Sequence, residues 1–276
     1  MTDHRPLRKS LDLKLLQYGD RLRRKIGGIK PRRIVTLHHL ACSGGTIMTK
    51  CLATMPQAMV LSEIHPESVA QPAFDPLAQL RSGYRGELRE VHQDLLLGQF
   101  RREIVVAHTI AQSLGKVLVL RDHAHADFAW RRTRQSALVE ALSDEFEITP
   151  ILTMRNPQEA WISMQREDWF SGSVDEFCQA QIALIEAFED APLFHYEDFV
   201  EAPDKIVRAM CETAGIAFAE GFEQRLDQID HLTGDSGRKG SKIEPRPAKS
   251  LADEDRAAFD TSEAFRKLNA LVEQRR

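Results

Sequence analysis

The sequence predicts an α/β fold in which helices surround a central parallel sheet in three layers, and three observations predict it. Short apolar runs rich in β-branched residues alternate with longer segments of helical spacing. A strand, a turn of small residues and a helix follow one another directly between residues 33 and 55. The 276 residues, 42% of them hydrophobic, suffice for a sizeable core. Strands that alternate with helices form βαβ units, whose sheets bind ligands at the carboxyl ends of the strands.

The elements of the first quarter follow from apolar runs and turn residues. Ile34–Leu37 is β-branched and predicts the first strand, and a helix is expected from Ile47 to about Met55. Ala58–Ser62 is a short apolar run that fits a second buried strand. The segment 71–86 is rich in Pro and Gly, which predicts a loop or lid.

A long helical segment precedes the third strand. Glu87–Leu114 carries helical spacing and is expected to form two helices that break near Gly98. Gly115 ends the second of them, and Lys116–Leu120 is a continuous apolar run typical of a buried strand.

The second half repeats the alternation of strand and helix, with Asn156 and Pro157 as a helix start signal. The segment 231–247 is polar and glycine-bearing, which predicts a loop. The remaining expected elements are a helix near Ser136–Glu145, a strand at Ile148–Met154, a helix at Asp175–Asp190, a strand at Pro192–His195, a helix at Pro203–Ala214 ended by Gly215, and a helical tail at Leu251–Gln274.

Composition excludes several classes of protein. No uninterrupted apolar stretch approaches the roughly 20 residues of a membrane span, and no signal-peptide core is found at the amino terminus. The net charge of −4 does not indicate nucleic acid as a partner. The cysteines form no CxxC pair and have no metal spacing with histidine, so we expect free thiols in a cytoplasmic protein and no metal. They are Cys42, Cys51, Cys178 and Cys211.

The first 32 residues are predicted to be a basic arm. Residues 1–33 contain eleven Lys or Arg and three Asp, a net charge of +8, so the remainder carries −12. We expect the arm to lie on the acidic body or in solvent, because its helical periodicity is poor. The alternative is an amphipathic helix on anionic lipid, which would give peripheral membrane contact.

The turn between the first strand and helix has the composition of an anion site. It consists of small residues, and a glycine turn at the start of a helix aims several backbone N–H groups at one point, where a phosphate binds. The lysine of the GxxxxGK[ST] motif is missing. The turn residues are Cys42, Ser43, Gly44, Gly45 and Thr46.

Two later segments carry further phosphate-binding side chains. Arg155 stands where an apolar strand ends, and Ser163 follows two helical turns later. Arginine can bind a phosphate through two parallel hydrogen bonds, and a serine hydroxyl can donate a third. In the predicted loop 231–247, Arg238, Lys239 and Gly240 could fold over a bound anion.

These segments together resemble the sulfotransferases that use 3′-phosphoadenylyl sulfate. That family has a strand–loop–helix near its start, a later R-[ND]-P with a serine eight residues after the arginine, and an RKG loop near its end. The motifs match in order here, and residues 195–218 resemble the family's Y-E-D segment. The resemblance implies a P-loop NTPase-like architecture with a catalytic domain at 33–247, an arm at 1–32 and a C-terminal helix at 248–276.

The resemblance also implies roles for single residues. Cys42, Ser43, Gly44, Gly45 and Thr46 would hold the 5′-phosphosulfate of the donor, which is a co-substrate. Arg155 and Ser163 would bind its 3′-phosphate. Arg238, Lys239 and Gly240 would lie over the nucleotide.

One residue departs from the family pattern. Many relatives have a lysine just before the S-G of the loop, where it contacts the oxygen between the phosphate and the sulfuryl group, and Cys42 stands there instead. A cation at that oxygen should be worth a few kcal/mol in the transition state. The candidates to replace the lysine are His38, His39, Arg121 and Lys50.

Sulfuryl transfer to a hydroxyl or amine also needs a general base. Relatives that act on carbohydrates often use a glutamate after the second strand, and Glu63 stands there. Cytosolic relatives use a histidine after a later strand, and His123 and His125 follow Lys116–Leu120 here. All three are candidates.

The sequence thus predicts a cytoplasmic sulfotransferase acting on a small-molecule, glycan or lipid acceptor, with a carbohydrate or glycolipid favoured. Three tryptophans and three tyrosines slightly disfavour a stacking platform for sugars. The alternatives are a small-molecule kinase on a P-loop fold, which would need the missing lysine, and a non-catalytic nucleotide- or glycan-binding relative.

Overall fold

A five-stranded parallel sheet forms the centre of the computed structural model, which describes residues 32–67, 77, 86, 88–232, 243–245, 247 and 249–276. Every strand pairs in parallel with its neighbours, which confirms the predicted fold class. The strands are β1 (Arg32–His38), β2 (Ala58–Ile64), β3 (Val117–Asp122), β4 (Phe146–Met154) and β5 (Leu193–His195).

The strand order β2-β3-β1-β4-β5 places β1 in the middle of the sheet. Leu37 near its end is in register with Arg121 of β3 and with Ile151 of β4. The chain adds β2 and β3 on one side of β1 and then crosses to add β4 and β5 on the other. The crevice outside the carboxyl ends of β1 and β4 is therefore a topological switch point, where such sheets bind ligands.

The two faces of the sheet are buried against different helices, because successive side chains of a strand point to opposite faces. Val35 and Leu37 pack in one apolar cluster with the helix that follows β1, whereas Ile34, which directly precedes Val35, packs in another with the helix before β3. The helices are α1 (Gly45–Ala53), α2 (Glu90–Ser113), α3 (Ala137–Leu142), α4 (Pro157–Arg166), α5 (Val174–Ala187), α6 (Tyr196–Glu201), α7 (Pro203–Ala214), α8 (Asp253–Thr261) and α9 (Glu263–Gln274).

Two expectations about helices were wrong. α2 is continuous through Gly98, which is buried. An interior glycine costs only about 1 kcal/mol, and packing of Phe100 and Ile104 on the sheet outweighs it. The C-terminal tail is two helices, because Ser262 leaves the helical conformation between them and caps the second one through its hydroxyl.

Two short elements were not predicted from the sequence: a five-residue π-helical turn at Ala126–Trp130 and a 3₁₀ helix at Glu223–Gln228. The predicted arm at 1–32, except for Arg32 in β1, and almost all of the predicted lid at 71–86 lie outside the described residues, and so do Arg238, Lys239 and Gly240. In the described part of the chain, no helix is long and apolar enough to cross a membrane.

Candidate functional site

The turn between β1 and α1 is tight, and two glycines make it so. Gly44 has a φ of +79°, and a Cβ there would lie 2.1 Å from the ring of Tyr196. A Cβ on Gly45 would lie 2.1 Å from the ring of His39. Cys42 has a φ of +62°, which is uncommon for a residue with a side chain. The backbone of the loop is thus pressed against two rings.

The N-terminus of α1 has the open backbone groups of an anion site. No side chain caps this nine-residue helix, and its first turn contains no acidic residue. By contrast, Asn156 caps α4 and Ser173 caps α5. Ser43 is buried, and its hydroxyl donates to the carbonyl of Leu40, 2.6 Å away, which holds the turn together. The first amides of α1 and the helix dipole therefore favour an anion here.

Arg121 at the end of β3 is a buried cation that joins the loop to β2. Its Nε donates to His39 Nε2 at 2.9 Å, and its Nη2 donates to Thr46 Oγ1 at 3.0 Å. The guanidinium also bonds Ser62 at 3.1 Å and pairs with Glu63 at 2.7 Å. Of the four candidates for the missing lysine, Arg121 is the one whose charge the structure places on a side chain of the loop.

His39 must be neutral to accept from Arg121. Burial and the Arg121 charge lower the pKa of His39 to about 3. His38 is also enclosed, since it bonds Asp122 and Thr36 at 2.8 Å each and all three are buried. His39 is therefore not a source of positive charge at neutral pH in the way the missing lysine would be.

Glu63 and His123, predicted as rival bases, are hydrogen-bonded to each other. Glu63 Oε2 lies 2.9 Å from His123 Nδ1. Glu63 has a φ of +56° and sits where the β2–β3 register shifts, so a bulge turns its side chain toward β3. Burial opposes its charge, but the bond with His123 and the Arg121 charge outweigh burial and lower the pKa of Glu63. The carboxylate is thus ionised at neutral pH.

His125, the third candidate base, has both ring nitrogens engaged. Its Nδ1 accepts from the amide of Ala41 at 3.4 Å, and its Nε2 lies 3.1 Å from the carbonyl of Trp169. Burial lowers its pKa to about 4. This geometry favours Glu63 and His123 over His125, whose role as a base stays a prediction.

Arg155 and Ser163 lie together as the sequence predicts, and Lys249 joins them. Arg155 Nη1 donates to Ser163 Oγ at 3.5 Å, and Lys249 Nζ donates to the same oxygen at 2.6 Å. Glu159 holds this cluster: it pairs with Arg155 at 2.8 Å and accepts from the amide of Lys249 at 2.7 Å. Burial and the charges of Arg155 and Arg166 lower the pKa of Lys249.

Sequence reasoning missed Lys249 because it stands in no motif; the only signal was its place in a basic, proline-bearing segment. A cavity of about 400 Å³ opens beside it, lined also by Asn156, Glu159 and Arg256. The cluster can bind a phosphate through two cations and a hydroxyl.

Tyr196 connects this cluster to the loop. Its ring packs on Gly44, and the guanidinium of Arg155 lies 5.0 Å from the ring centroid. Cys42 also lies close enough to Arg155 and Lys249 to feel their charges, but burial and Glu167 raise the pKa of its thiol to about 11. The thiol is therefore protonated at neutral pH and is no nucleophile.

The chain is similar in structure to known sulfotransferases. The sulfotransferase domain from the curacin biosynthetic pathway matches with a TM-score of 0.53 and 14% identity over 87% of this chain and 97% of that one. The sulfotransferase domain from the Synechococcus PCC 7002 olefin synthase matches with a TM-score of 0.53 and 16% identity over 89% and 94%. No protein-family model matches the sequence, and no curated protein matches it.

The predicted P-loop-like sulfotransferase architecture is thus confirmed at the level of the fold. At 14–16% identity the likeness concerns the fold alone.

The neutral buried histidines make stability depend on pH. In the unfolded chain His39 and His125 bind protons below about pH 6.5, whereas the folded protein takes them up only near pH 3 and pH 4. The free energy of unfolding should therefore fall as pH decreases from 6.5 to 4.5. Urea unfolding measured at several pH values gives the slope of the free energy of unfolding against pH, and this slope should be shallower for His39→Gln by about one proton. An unchanged slope in His39→Gln would show that His39 titrates normally in the folded state.

Proposed function

We propose that this protein transfers a sulfuryl group from 3′-phosphoadenylyl sulfate to a hydroxyl or amine of an acceptor. The observation that supports it most is the position of Arg121. One buried guanidinium touches Thr46 of the anion loop and also the carboxylate of Glu63, which bonds His123. A charge-stabilising cation and a base thus meet at the carboxyl ends of β2 and β3, in a sheet with the sulfotransferase fold.

The two anion sites match the two ends of the donor. The 5′-phosphosulfate would bind at the uncapped start of α1, with Thr46 and the loop amides. The 3′-phosphate would bind Arg155, Ser163 and Lys249, competing with Glu159 for the guanidinium. Tyr196 contacts both sites, because its ring packs on Gly44 of the loop and lies 5.0 Å from the guanidinium of Arg155.

In the reaction, the acceptor oxygen or nitrogen forms a bond to sulfur while the bond from sulfur to the bridging oxygen breaks. Negative charge builds on that bridging oxygen, which stays with the 5′-phosphate. Arg121 is the cation of the described site that stands beside the loop, so it would take the part of the missing lysine. Its other hydrogen bonds hold it in place before reaction, which is what makes such stabilisation effective.

The acceptor's proton would pass to the Glu63–His123 pair. The Nδ1 of His123 faces the ionised Glu63, so its Nε2 is the nitrogen that would take the proton. Glu63 would orient the ring and stabilise the imidazolium, as a carboxylate does in a catalytic triad. The alternative is that Glu63 accepts the proton itself.

The proposal predicts a distinct ligand preference. The protein should bind 3′,5′-adenosine bisphosphate without magnesium and more tightly than ATP. The reason is that Arg155, Ser163 and Lys249 would bind a 3′-phosphate, which ATP lacks. Calorimetry with both ligands measures this, and turnover of ³⁵S-labelled donor tests the enzyme. Tight magnesium-dependent ATP binding with no response to the bisphosphate would favour a kinase, and bisphosphate binding without turnover would favour a non-catalytic relative.

Loss of the 3′-phosphate ligands should weaken binding selectively. Arg155→Ala should reduce affinity for the bisphosphate by roughly 2–4 kcal/mol, with a smaller loss for adenosine 5′-monophosphate. Lys249→Met should act in the same direction, because its Nζ shares Ser163. Lys205→Met on the exposed face of α7 is the matched control and should bind normally. Equal losses for both nucleotides would remove Arg155 and Lys249 from the 3′-phosphate site.

The paired base predicts non-additive kinetics. Glu63→Gln and His123→Gln should each lower transfer about 10²–10⁴-fold with bisphosphate affinity unchanged, because each removes one half of the same base. The double variant should be little worse than either single one, as for residues that act as a unit. Near-normal turnover in Glu63→Gln with none in His123→Gln would mean that the histidine acts without the carboxylate.

A further inference from the structure

Two of the three tryptophans stand exposed beside the paired base. Trp130 is 57% exposed and Trp169 is 45% exposed, whereas Trp161 is 4% exposed and packs in the core. The ring of Trp130 lies 5.4 Å from that of His123, centroid to centroid. Large aromatic rings are normally buried, so an adjacent exposed pair at a reactive group marks a contact surface.

The two tryptophans are held together by a hydrogen bond. Trp130 Nε1 donates to the carbonyl of Trp169 at 3.4 Å. Trp130 ends the five-residue π-helical turn, a rare conformation that is frequent at functional sites. The pair is called the tryptophan platform below.

Strained backbone lies on both sides of the platform. In the described residues four non-glycine positions have a positive φ: Cys42 in the loop, Glu63 of the base, and Arg132 and Asp168. Arg132 follows Trp130 by two residues, and Asp168 directly precedes Trp169. Such strain is kept where it positions functional groups, so the platform belongs with the loop and the base.

His125 ties the platform to the anion loop. One ring nitrogen bonds the carbonyl of Trp169 and the other bonds the amide of Ala41, at the start of the loop. Its ring also meets that of Trp130 edge-on, with centroids 5.1 Å apart. His125 is accordingly a positioning residue that fixes the platform relative to the donor side.

We propose that the tryptophan platform is the acceptor site and that it takes a carbohydrate, an inference that rests on the proposed function. A sugar ring has a face of C–H groups and a rim of hydroxyls. The C–H face stacks on an indole, whose face carries negative partial charge. A hydroxyl at the ring edge then reaches His123, whose ring adjoins Trp130.

The surroundings of the platform suit a sugar better than a phenol or a lipid. Its rings are half exposed, so a ligand on them keeps much of its surface in water, which hydroxyl groups tolerate. A phenol or acyl chain binds by burial in an enclosed apolar cavity. Polar groups flank Trp130, since Arg131 next to it pairs with both Glu67 and Asp127. The exposed side chains of Arg131 and Glu67 offer hydrogen bonds to a hydroxyl rim.

The platform can be tested by its own fluorescence, independently of sulfuryl transfer. Since Trp161 is buried, saturable quenching or a spectral shift on titration reports on Trp130 and Trp169. The probes are cellotetraose and chitotetraose as neutral glycans, p-nitrophenol as a phenol, and phosphatidylcholine vesicles as a lipid surface. We expect saturable changes with at least one glycan, and protection of the exposed rings from acrylamide quenching.

Substitutions in the platform test whether the glycan binds there. Trp130→Ala and Trp169→Ala should each weaken glycan binding roughly tenfold, the equivalent of losing one aromatic contact. Trp130→Phe should restore most of it, because the ring face is kept. Leu114→Ala, an exposed apolar residue on the end of α2, is the control and should bind glycan normally. All variants should keep their affinity for 3′,5′-adenosine bisphosphate, which shows that they fold.

The outcomes separate this inference from the proposed function. Bisphosphate binding with no saturable glycan response, or with a response only to p-nitrophenol or vesicles, overturns the carbohydrate platform and leaves the sulfotransferase proposal intact. Glycan binding that survives both alanine variants also overturns the platform. If the wild-type protein does not bind 3′,5′-adenosine bisphosphate at all, that result would instead contradict the proposed function.

Discussion

The hydrogen bonds of Arg121 are the interaction on which the candidate site depends. A buried guanidinium is costly unless its charge is paired and its N–H groups are satisfied. Arg121 meets both conditions by bonding His39 and Thr46 on the β1–α1 side and Ser62 and Glu63 on the β2 side. Arg121 therefore connects the carboxyl end of β3 to the anion loop on one side and to the end of β2 on the other. The distance between the anion loop and the base is set by this one side chain.

This arrangement also sets the protonation of its neighbours. His39 stays neutral because burial and the Arg121 charge lower its pKa, and Glu63 stays ionised because the His123 bond and the Arg121 charge outweigh its burial. One cation thereby creates a neutral acceptor at the loop and a negative partner for the histidine. Positioned charges of this kind need no reorganisation during a reaction, which is the main source of electrostatic catalysis.

Three side chains at and just after the end of β3 connect different parts of the candidate site. Arg121 faces the loop, His123 faces Glu63 and Trp130, and His125 bonds the carbonyl of Trp169. These three residues are spaced two apart in the sequence, and each contacts a different part of the site. In the described structure the anion loop, the base and the tryptophan platform thus share one strand end as their common support.

The sequence by itself determined the strands, the loop and most helix boundaries, because these depend on neighbours in the chain. The apolar run of β3, the glycine turn before α1 and the Asn156 cap of α4 are all local signals. It also indicated Arg155 with Ser163, since Arg155 stands just before the start of α4 and Ser163 lies two turns into that helix. It could not show that α2 continues through Gly98, because packing on the sheet decides that.

Only the tertiary structure decided how distant residues meet. Glu63 and His123 looked like rival bases in the sequence, and they form a pair because β2 and β3 are neighbours in the sheet. Lys249 reaches Ser163 across 86 residues, and the exposure of Trp130 and Trp169 could not be read from a composition with only three tryptophans. Contacts between distant segments depend on strand order and helix packing, which local sequence patterns do not specify.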